Sequence, residues 1–144
     1  MKGKLKALRD ILKEGRNEFD LHAGIISQVV KNTYNVIALD TDYEQLVEGA
    51  KFDLQDTYCK AVVDQAMTKT FKDVAEIKEM QKHPVYLAMQ LRAYIGTPIM
   101  INNKVWGTLN FSSISPRKIP FSPSEYSFVE SLAKKAANIL ATES

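Results

Sequence analysis

Two strand-like segments near the C-terminus decide the fold of this chain: Arg92-Ala-Tyr-Ile-Gly-Thr-Pro-Ile-Met-Ile101 and Val105-Trp-Gly-Thr-Leu-Asn-Phe-Ser-Ser113. Both are rich in the β-branched and aromatic residues that favour extended backbone. The connection, Asn102-Asn103-Lys104, contains two asparagines, and asparagine tolerates the positive φ that tight hairpin loops require. The two segments are therefore predicted to form an antiparallel hairpin.

A second hairpin is predicted upstream. Residues 21–30 and 34–39 are rich in Ile and Val, and the turn residues Lys31 and Asn32 lie between them. Within the first segment, Ala23-Gly-Ile-Ile26 is apolar at successive positions, whereas a strand with one face in water alternates apolar and polar residues. We therefore expect a sheet that is covered on both faces.

The N-terminal segment, residues 1–15, is predicted to be an amphipathic helix. Leu5, Leu8 and Leu12 recur at helical spacing, and Gly15 follows as a helix stop. Residues 1–16 contain six basic and two acidic side chains. They contain no aromatic residue that could stack on a base, so we interpret the charge as a solvated helix face and expect no nucleic-acid partner.

The C-terminal segment, residues 122–141, is the most strongly predicted helix. Ser122 is the expected N-cap, Pro123 occupies the first helical position, and Glu125 completes a capping box. Apolar residues then recur at helical spacing as far as Leu140.

The middle of the chain is predicted to be mainly helical. Asp56 is the expected cap of a helix whose apolar face carries Cys59, Val62, Val63 and Ala66. Residues 70–74 form a candidate short strand, and Pro84 is expected to begin a further helical turn. The predicted order is helix, two strands, helix, short strand, helix, two strands, helix.

The composition is that of one globular domain spanning residues 1–144, and the predicted strands fall within residues 19–121. Of the 144 residues, 45% are hydrophobic and 25% are charged, which excludes disordered and fibrous classes. No apolar run approaches the ~18 residues of a membrane span, so we expect a cytoplasmic protein without membrane insertion. The single cysteine and two histidines lack zinc spacing, so no metal site is predicted.

A polar stripe in the last predicted strand is a candidate binding surface. Thr108, Asn110 and Ser112 alternate with apolar residues and therefore share one face of the strand. Such side chains can bind the polar groups of a buried ligand. They can equally meet solvent or satisfy one another, and the residues alone leave both alternatives open.

Taken together, these segments resemble a GAF domain, the ligand-binding and signalling module of phytochromes, phosphodiesterases and bacterial sensor proteins. The resemblance covers nearly the whole chain. It is carried by the C-terminal hairpin and by the following shorter segments: Gly24-Ile-Ile-Ser27, Asp56-Thr-Tyr-Cys-Lys-Ala-Val62, Phe71-Lys-Asp73, His83-Pro-Val-Tyr86 and Phe121-Ser122.

The resemblance implies an α+β fold in which a central antiparallel sheet has the N- and C-terminal helices on one face. A pocket roofed by helices and loops would lie on the other face, with the polar stripe as its floor. The ligand-binding residues that the resemblance implies are Tyr58, Cys59, Val62, Asp73, Tyr86, Thr108, Asn110 and Ser112. For two of them a structural role is favoured, because an Asp at a strand end more often caps a turn, and Cys59 falls on an apolar helix face.

Two kinds of GAF relatives depend on particular cysteines, which this sequence can be checked for. Pigment-binding relatives attach bilin through a cysteine before the Arg-Ala strand, but residues 79–86 contain none, so covalent bilin is not expected. Relatives that reduce free methionine sulfoxide need a second, resolving cysteine, and Cys59 is alone. We therefore predict no catalytic residue and no cofactor.

The favoured function is a sensory or regulatory module that binds a small molecule noncovalently. The terminal helices, with the small residues Ala133, Ala136 and Ala137, are expected to form a homodimer. Two alternatives remain: an enzyme of the free methionine sulfoxide reductase type, and a dimerisation scaffold without a ligand.

Overall fold

The structure, a computed structural model, describes residues 2–142 and is built around a six-stranded antiparallel sheet. The helices are α1 (Lys2–Phe19), α2 (Cys59–Gln65), α3 (Pro84–Met89) and α4 (Pro123–Ala141). The strands are β1 (Ala23–Val30), β2 (Thr33–Thr41), β3 (Lys51–Asp53), β4 (Lys69–Phe71), β5 (Ala93–Ile101) and β6 (Lys104–Ser113). Short 3-10 turns occupy Leu54–Asp56, Val74–Glu76 and Lys78–Met80.

The strands are ordered β3-β2-β1-β6-β5-β4, and every neighbouring pair is antiparallel. Both predicted hairpins are present, as β1–β2 and β5–β6. In the second, Asn102 and Asn103 have φ of 54° and 63°, as a two-residue loop with the twist of its flanking strands requires. The α+β prediction is confirmed.

A separate hydrophobic core lies on each face of the sheet. Between the sheet and α1 and α4 lies a cluster that includes Leu12, Phe111 and Leu132. The opposite face is covered by residues 54–65 and 74–91, which we call the roof, and the cluster there includes Val62 and Val74. The continuous burial of Ala23–Ile26 follows from this double coverage.

The N-terminal helix is longer than predicted. It continues through Gly15 to Phe19 and ends with Asp20 in the left-handed region at φ 55°, while the Leu21 N–H donates to the Arg16 carbonyl at 3.2 Å. Gly15 is therefore not a helix stop. A Cβ at this position would overlap the ring of Phe111, so the glycine lets α1 approach the sheet closely.

The C-terminal helix begins as predicted. The Glu125 N–H donates to Ser122 Oγ at 3.2 Å, and the Ser122 N–H donates to Glu125 Oε1 at 2.9 Å, which completes the capping box. Arg117 also binds both oxygens of Glu125, at 2.7 and 2.9 Å. The chain that enters α4 is thus fixed from both sides.

The middle of the chain differs from the prediction in its details. Asp56 ends a 3-10 turn and does not cap α2; instead the Cys59 N–H donates to the hydroxyl of Thr57 at 3.2 Å. Ala66 is exposed in a left-handed conformation after the helix, and Val74 lies in a 3-10 turn beyond β4. Within residues 2–142, no helix combines the length and the hydrophobicity that crossing a membrane would demand.

Candidate functional site

The polar stripe of β6 faces the roof. Thr108, Asn110 and Ser112 are at most 3% exposed, and the first two donate hydrogen bonds to Sγ of Cys59 on α2, each at 3.3 Å. Strand alternation places the three on one face, and the roof shields that face from water.

Cys59 is the centre of a buried hydrogen-bond network. Besides its bonds from Thr108 and Asn110, its Sγ lies 3.0 Å from the Tyr94 hydroxyl and 4.0 Å from that of Tyr34. We call these five residues the thiol network. Ser27 extends it, because its Oγ is 2.7 Å from Thr108 Oγ1. The network connects α2 to strands β1, β2, β5 and β6.

The thiol network is electrically neutral. Burial raises the pKa of the Cys59 thiol, and its hydrogen bonds to Thr108 and the other members only partly oppose this. Burial also raises the pKa of Tyr34 and of Tyr94 well above the ordinary value. A thiol that keeps its proton is a poor nucleophile, so this arrangement suits packing and polar recognition better than thiolate chemistry.

A glycine on β5 gives Tyr94 its position. Tyr94 and Gly96 lie on the roof face, opposite Ser112 and Asn110 of β6. The Tyr94 hydroxyl occupies the space that a Cβ at Gly96 would fill, so the ring lies along its own strand and reaches Cys59.

A cleft of about 90 Å³ opens between the sheet and the roof, beside the thiol network. Its polar lining comes from Asn110, Ser112, Cys59 and the hydroxyl-bearing rings of Tyr34, Tyr58 and Tyr94. Its apolar lining and its rim are formed by Ile25, Leu46, Phe52, Asp56, Thr57, Val85, Met89 and Leu91. Typical ligand pockets measure about 300–1,000 Å³, so the cleft accommodates a much smaller molecule.

The roof is fastened over the cleft by polar contacts. The Tyr58 hydroxyl donates to the Leu91 carbonyl at 2.9 Å, and its ring lies 4.8 Å from that of His83. His83 caps α3, where its Nδ1 accepts from the Val85 N–H at 3.1 Å. Burial lowers the pKa of His83, which keeps the ring neutral and Nδ1 able to accept.

A family model for the GAF domain matches residues 5–140. The chain belongs to the GAF domain family. No curated protein matches the sequence significantly.

Solved GAF structures share the fold at low sequence identity. The GAF domain of an Acinetobacter phosphoenolpyruvate-protein phosphotransferase has a TM-score of 0.78 at 15% identity, covering 96% of this chain and 82% of that one. The blue-light absorbing form of the Thermosynechococcus elongatus PixJ GAF domain has a TM-score of 0.75 at 13% identity, covering 98% and 86%. A type II free methionine-R-sulfoxide reductase from Thermoplasma acidophilum has a TM-score of 0.78 at 13% identity, covering 98% and 94%.

Not all of the predicted site residues lie together in this GAF domain. Tyr58, Cys59, Asn110 and Ser112 line the cleft, and Thr108 lies behind Cys59 in the thiol network. Val62 is fully buried in the roof-side core, and Tyr86 packs against that core; neither is among the cleft-lining residues.

Asp73 has a structural role away from the cleft. Its carboxylate accepts from Arg92 Nε at 2.8 Å and Nη2 at 2.7 Å, and from the Ala75 N–H at 3.0 Å, so it caps the 3-10 turn as favoured from the sequence. The Arg92 guanidinium lowers the pKa of this carboxyl group.

Sequence reasoning missed Tyr34, Tyr94 and Ser27. For Tyr94 a signal was present, because an aromatic residue two positions before a glycine shares its face of a strand and can lie over it. For Tyr34 and Ser27 the register between β1, β2 and β6 was needed.

Proposed function

We propose that this GAF domain is a sensory or regulatory module that binds a small molecule noncovalently in the roof-side cleft. The observation that carries the proposal is the cleft itself, in which three tyrosine rings and a polar floor enclose a space under a short-helix roof. Sites for small molecules are largely apolar concavities with a few placed polar groups, and this cleft has that composition. Membership of the GAF family supports the same assignment.

A route from the cleft to the N-terminal helix supports a signalling role. The segment 43–50 contributes Leu46 to the cleft and Glu48 to α1, where the Arg9 guanidinium binds its carboxylate. Glu48 also accepts from the Leu39 N–H at 3.1 Å. A ligand that displaces Leu46 would therefore alter how this segment holds α1.

The test is native mass spectrometry of protein purified under non-denaturing conditions. A retained small molecule is expected, and Ser112→Leu, which fills the cleft, should abolish its retention. The matched control is Ser127→Leu, an exposed position on α4 that should leave retention unchanged. An empty protein whose melting temperature responds to no small molecule would refute binding and favour the ligand-free scaffold.

We propose that the module is not catalytic. The reductase alternative is favoured by one observation, the similarity of fold to the Thermoplasma acidophilum enzyme. Against it, Cys59 is the sole cysteine of the sequence, so no second thiol can resolve a sulfenic acid within the chain. Turnover of free methionine sulfoxide with a thiol reductant, abolished by Cys59→Ser, would establish the alternative.

The homodimer stays a prediction, but the small residues expected at its interface do not all lie on the surface. Ala133 and Ala136 are buried against the sheet, so α4 uses these small residues inside the chain. A second copy would instead meet the partly buried edge of the terminal helices, where Leu5, Ile139 and Leu140 lie. Light scattering with size-exclusion chromatography measures the mass, and Leu140→Glu should convert a dimer to a monomer.

A further inference from the structure

We propose that the cleft recognises a small neutral molecule that carries an N–H donor beside a C=O acceptor on one edge, as lactams and primary amides do. This inference rests on the proposed function, because it names the ligand class of the same cleft. It follows from the hydrogen bonds of the floor, from the size and charge of the lining, and from its aromatic walls.

The floor presents one acceptor and one hydroxyl without protein partners. The Asn110 NH₂ group donates to the Tyr34 hydroxyl at 2.8 Å and to Cys59 Sγ at 3.3 Å. These two bonds use both of its hydrogens, so only the carbonyl oxygen Oδ1 of the side chain is left to bind another group. Among residues 2–142, neither Asn110 Oδ1 nor Ser112 Oγ has a hydrogen-bond partner, although Ser112 is only 3% exposed. Neither atom is fully buried, so each can take a partner that enters the cleft, and a ligand that pairs with both would replace the water that otherwise binds them.

The two groups are complementary to an amide edge. Asn110 and Ser112 lie two positions apart on one face of β6, with roughly 7 Å between their Cα atoms. Asn110 Oδ1 can only accept, and it would take the ligand N–H. The Ser112 hydroxyl can donate to the adjacent carbonyl oxygen.

Charge and size narrow the class further. Asp56, which is exposed at the rim, is the only charged residue in the cleft lining within the described part of the chain. The lining therefore offers an anionic ligand no cation. The volume of about 90 Å³ restricts the occupant to a fragment-sized molecule.

Aromatic walls favour a flat ligand. The rings of Tyr58 and Tyr94 meet edge to face at 5.4 Å, and Tyr34 and Phe52 are 6.3 Å apart. Planar amides and heterocycles can stack on such rings while one edge reaches the floor.

The experiment titrates ¹⁵N-labelled protein with 2-pyrrolidinone and with cyclopentanone, a matched ring in which CH₂ replaces the N–H group. We expect 2-pyrrolidinone to shift the Asn110 side-chain and Ser112 backbone signals in a saturable manner. Cyclopentanone should bind about tenfold more weakly, because it leaves Asn110 Oδ1 unpaired. Ser112→Ala should weaken 2-pyrrolidinone binding by about tenfold without lowering the melting temperature, since the lost hydroxyl has no protein partner.

The control is Ser127→Ala on the exposed surface of α4, which should leave both affinities unchanged. Equal binding of the lactam and the ketone, or an unchanged affinity in Ser112→Ala, would overturn the edge recognition while leaving small-molecule binding intact. A charged molecule retained in native mass spectrometry would also overturn this inference alone. If neither probe shifts the cleft signals and the purified protein retains nothing, both the inference and the proposed function fail.

Discussion

Replacing Gly96 with alanine tests the structure of the thiol network directly. The new Cβ would overlap the hydroxyl end of Tyr94, so the ring must move. It has little room, because Tyr94 is 2% exposed and its ring is held at 5.4 Å from Tyr58 and 5.9 Å from Phe71. Movement also breaks the 3.0 Å contact between the Tyr94 hydroxyl and Cys59 Sγ.

The expected cost follows from three contributions. Overpacking a tight core costs about 1–3 kcal/mol, and loss of one buried hydrogen bond costs about 1 kcal/mol. The lower backbone entropy of unfolded alanine returns about 0.5–1 kcal/mol. Gly96→Ala should therefore reduce the free energy of unfolding by about 2 kcal/mol and lower the melting temperature by roughly 8 °C.

The assay is urea unfolding of a double-mutant cycle with Tyr94→Phe. Removing the hydroxyl relieves only the closest overlap, because Cζ of the ring would still lie 2.6 Å from the new Cβ. It also removes the contact with Cys59 beforehand, so Gly96→Ala should cost about 1 kcal/mol less in the Tyr94→Phe background but remain destabilising. Gly3→Ala is the matched control, because nothing lies within 4 Å of a Cβ there, and it should be neutral or slightly stabilising. Additive costs, or a Gly96→Ala variant as stable as the parent, would refute the position assigned to Tyr94.

Three further predictions concern the sheet and its roof. Gly107→Ala should lower the free energy of unfolding in urea by about 3 kcal/mol or more, because the new Cβ would meet the backbone of Ser27 on β1, and backbone cannot rotate away as a side chain can. A smaller loss than that of Gly96→Ala would contradict this reasoning. Cys59→Ala should lower the free energy of unfolding by about 2–3 kcal/mol, because a cavity forms and Thr108 and Asn110 lose their acceptor. Cys59→Ser keeps an acceptor and should therefore be less destabilising. If Cys59→Ser were the less stable of the two variants, the thiol network would be contradicted. Burial lowers the pKa of His83 in the folded protein below its unfolded value of about 6.5, so the fold favours the neutral ring. This stabilisation is complete above a pH of about 6.5 and is lost as the pH falls through the lower pKa of the folded protein. Urea unfolding between pH 7.5 and pH 5 should show this loss, and His83→Asn, an N-cap that does not titrate, should reduce it; identical pH profiles would show that His83 is not responsible.

The sequence predicted the candidate site where residues on one strand act together. Alternation alone put Thr108, Asn110 and Ser112 on one face, and their contacts lie on that face. The prediction was wrong where a residue type has two common roles. Gly15 was expected to stop a helix, but a glycine also permits close approach, and only the position of Phe111 distinguishes the two roles.

Local rules determined much of this protein from its sequence: the two hairpins, the capping box at Ser122 and Glu125, and the double coverage of the sheet. Each depends on turn dihedrals, capping or alternation within a few residues, so neighbours in the chain suffice to specify it. The tertiary structure alone decided which groups surround Cys59 and which are left unpaired. Its bond from Thr108 joins residues 49 positions apart, and that between Asn110 and Tyr34 joins residues 76 apart. Such pairings depend on strand order and register across the whole sheet, and a local pattern carries no information about them.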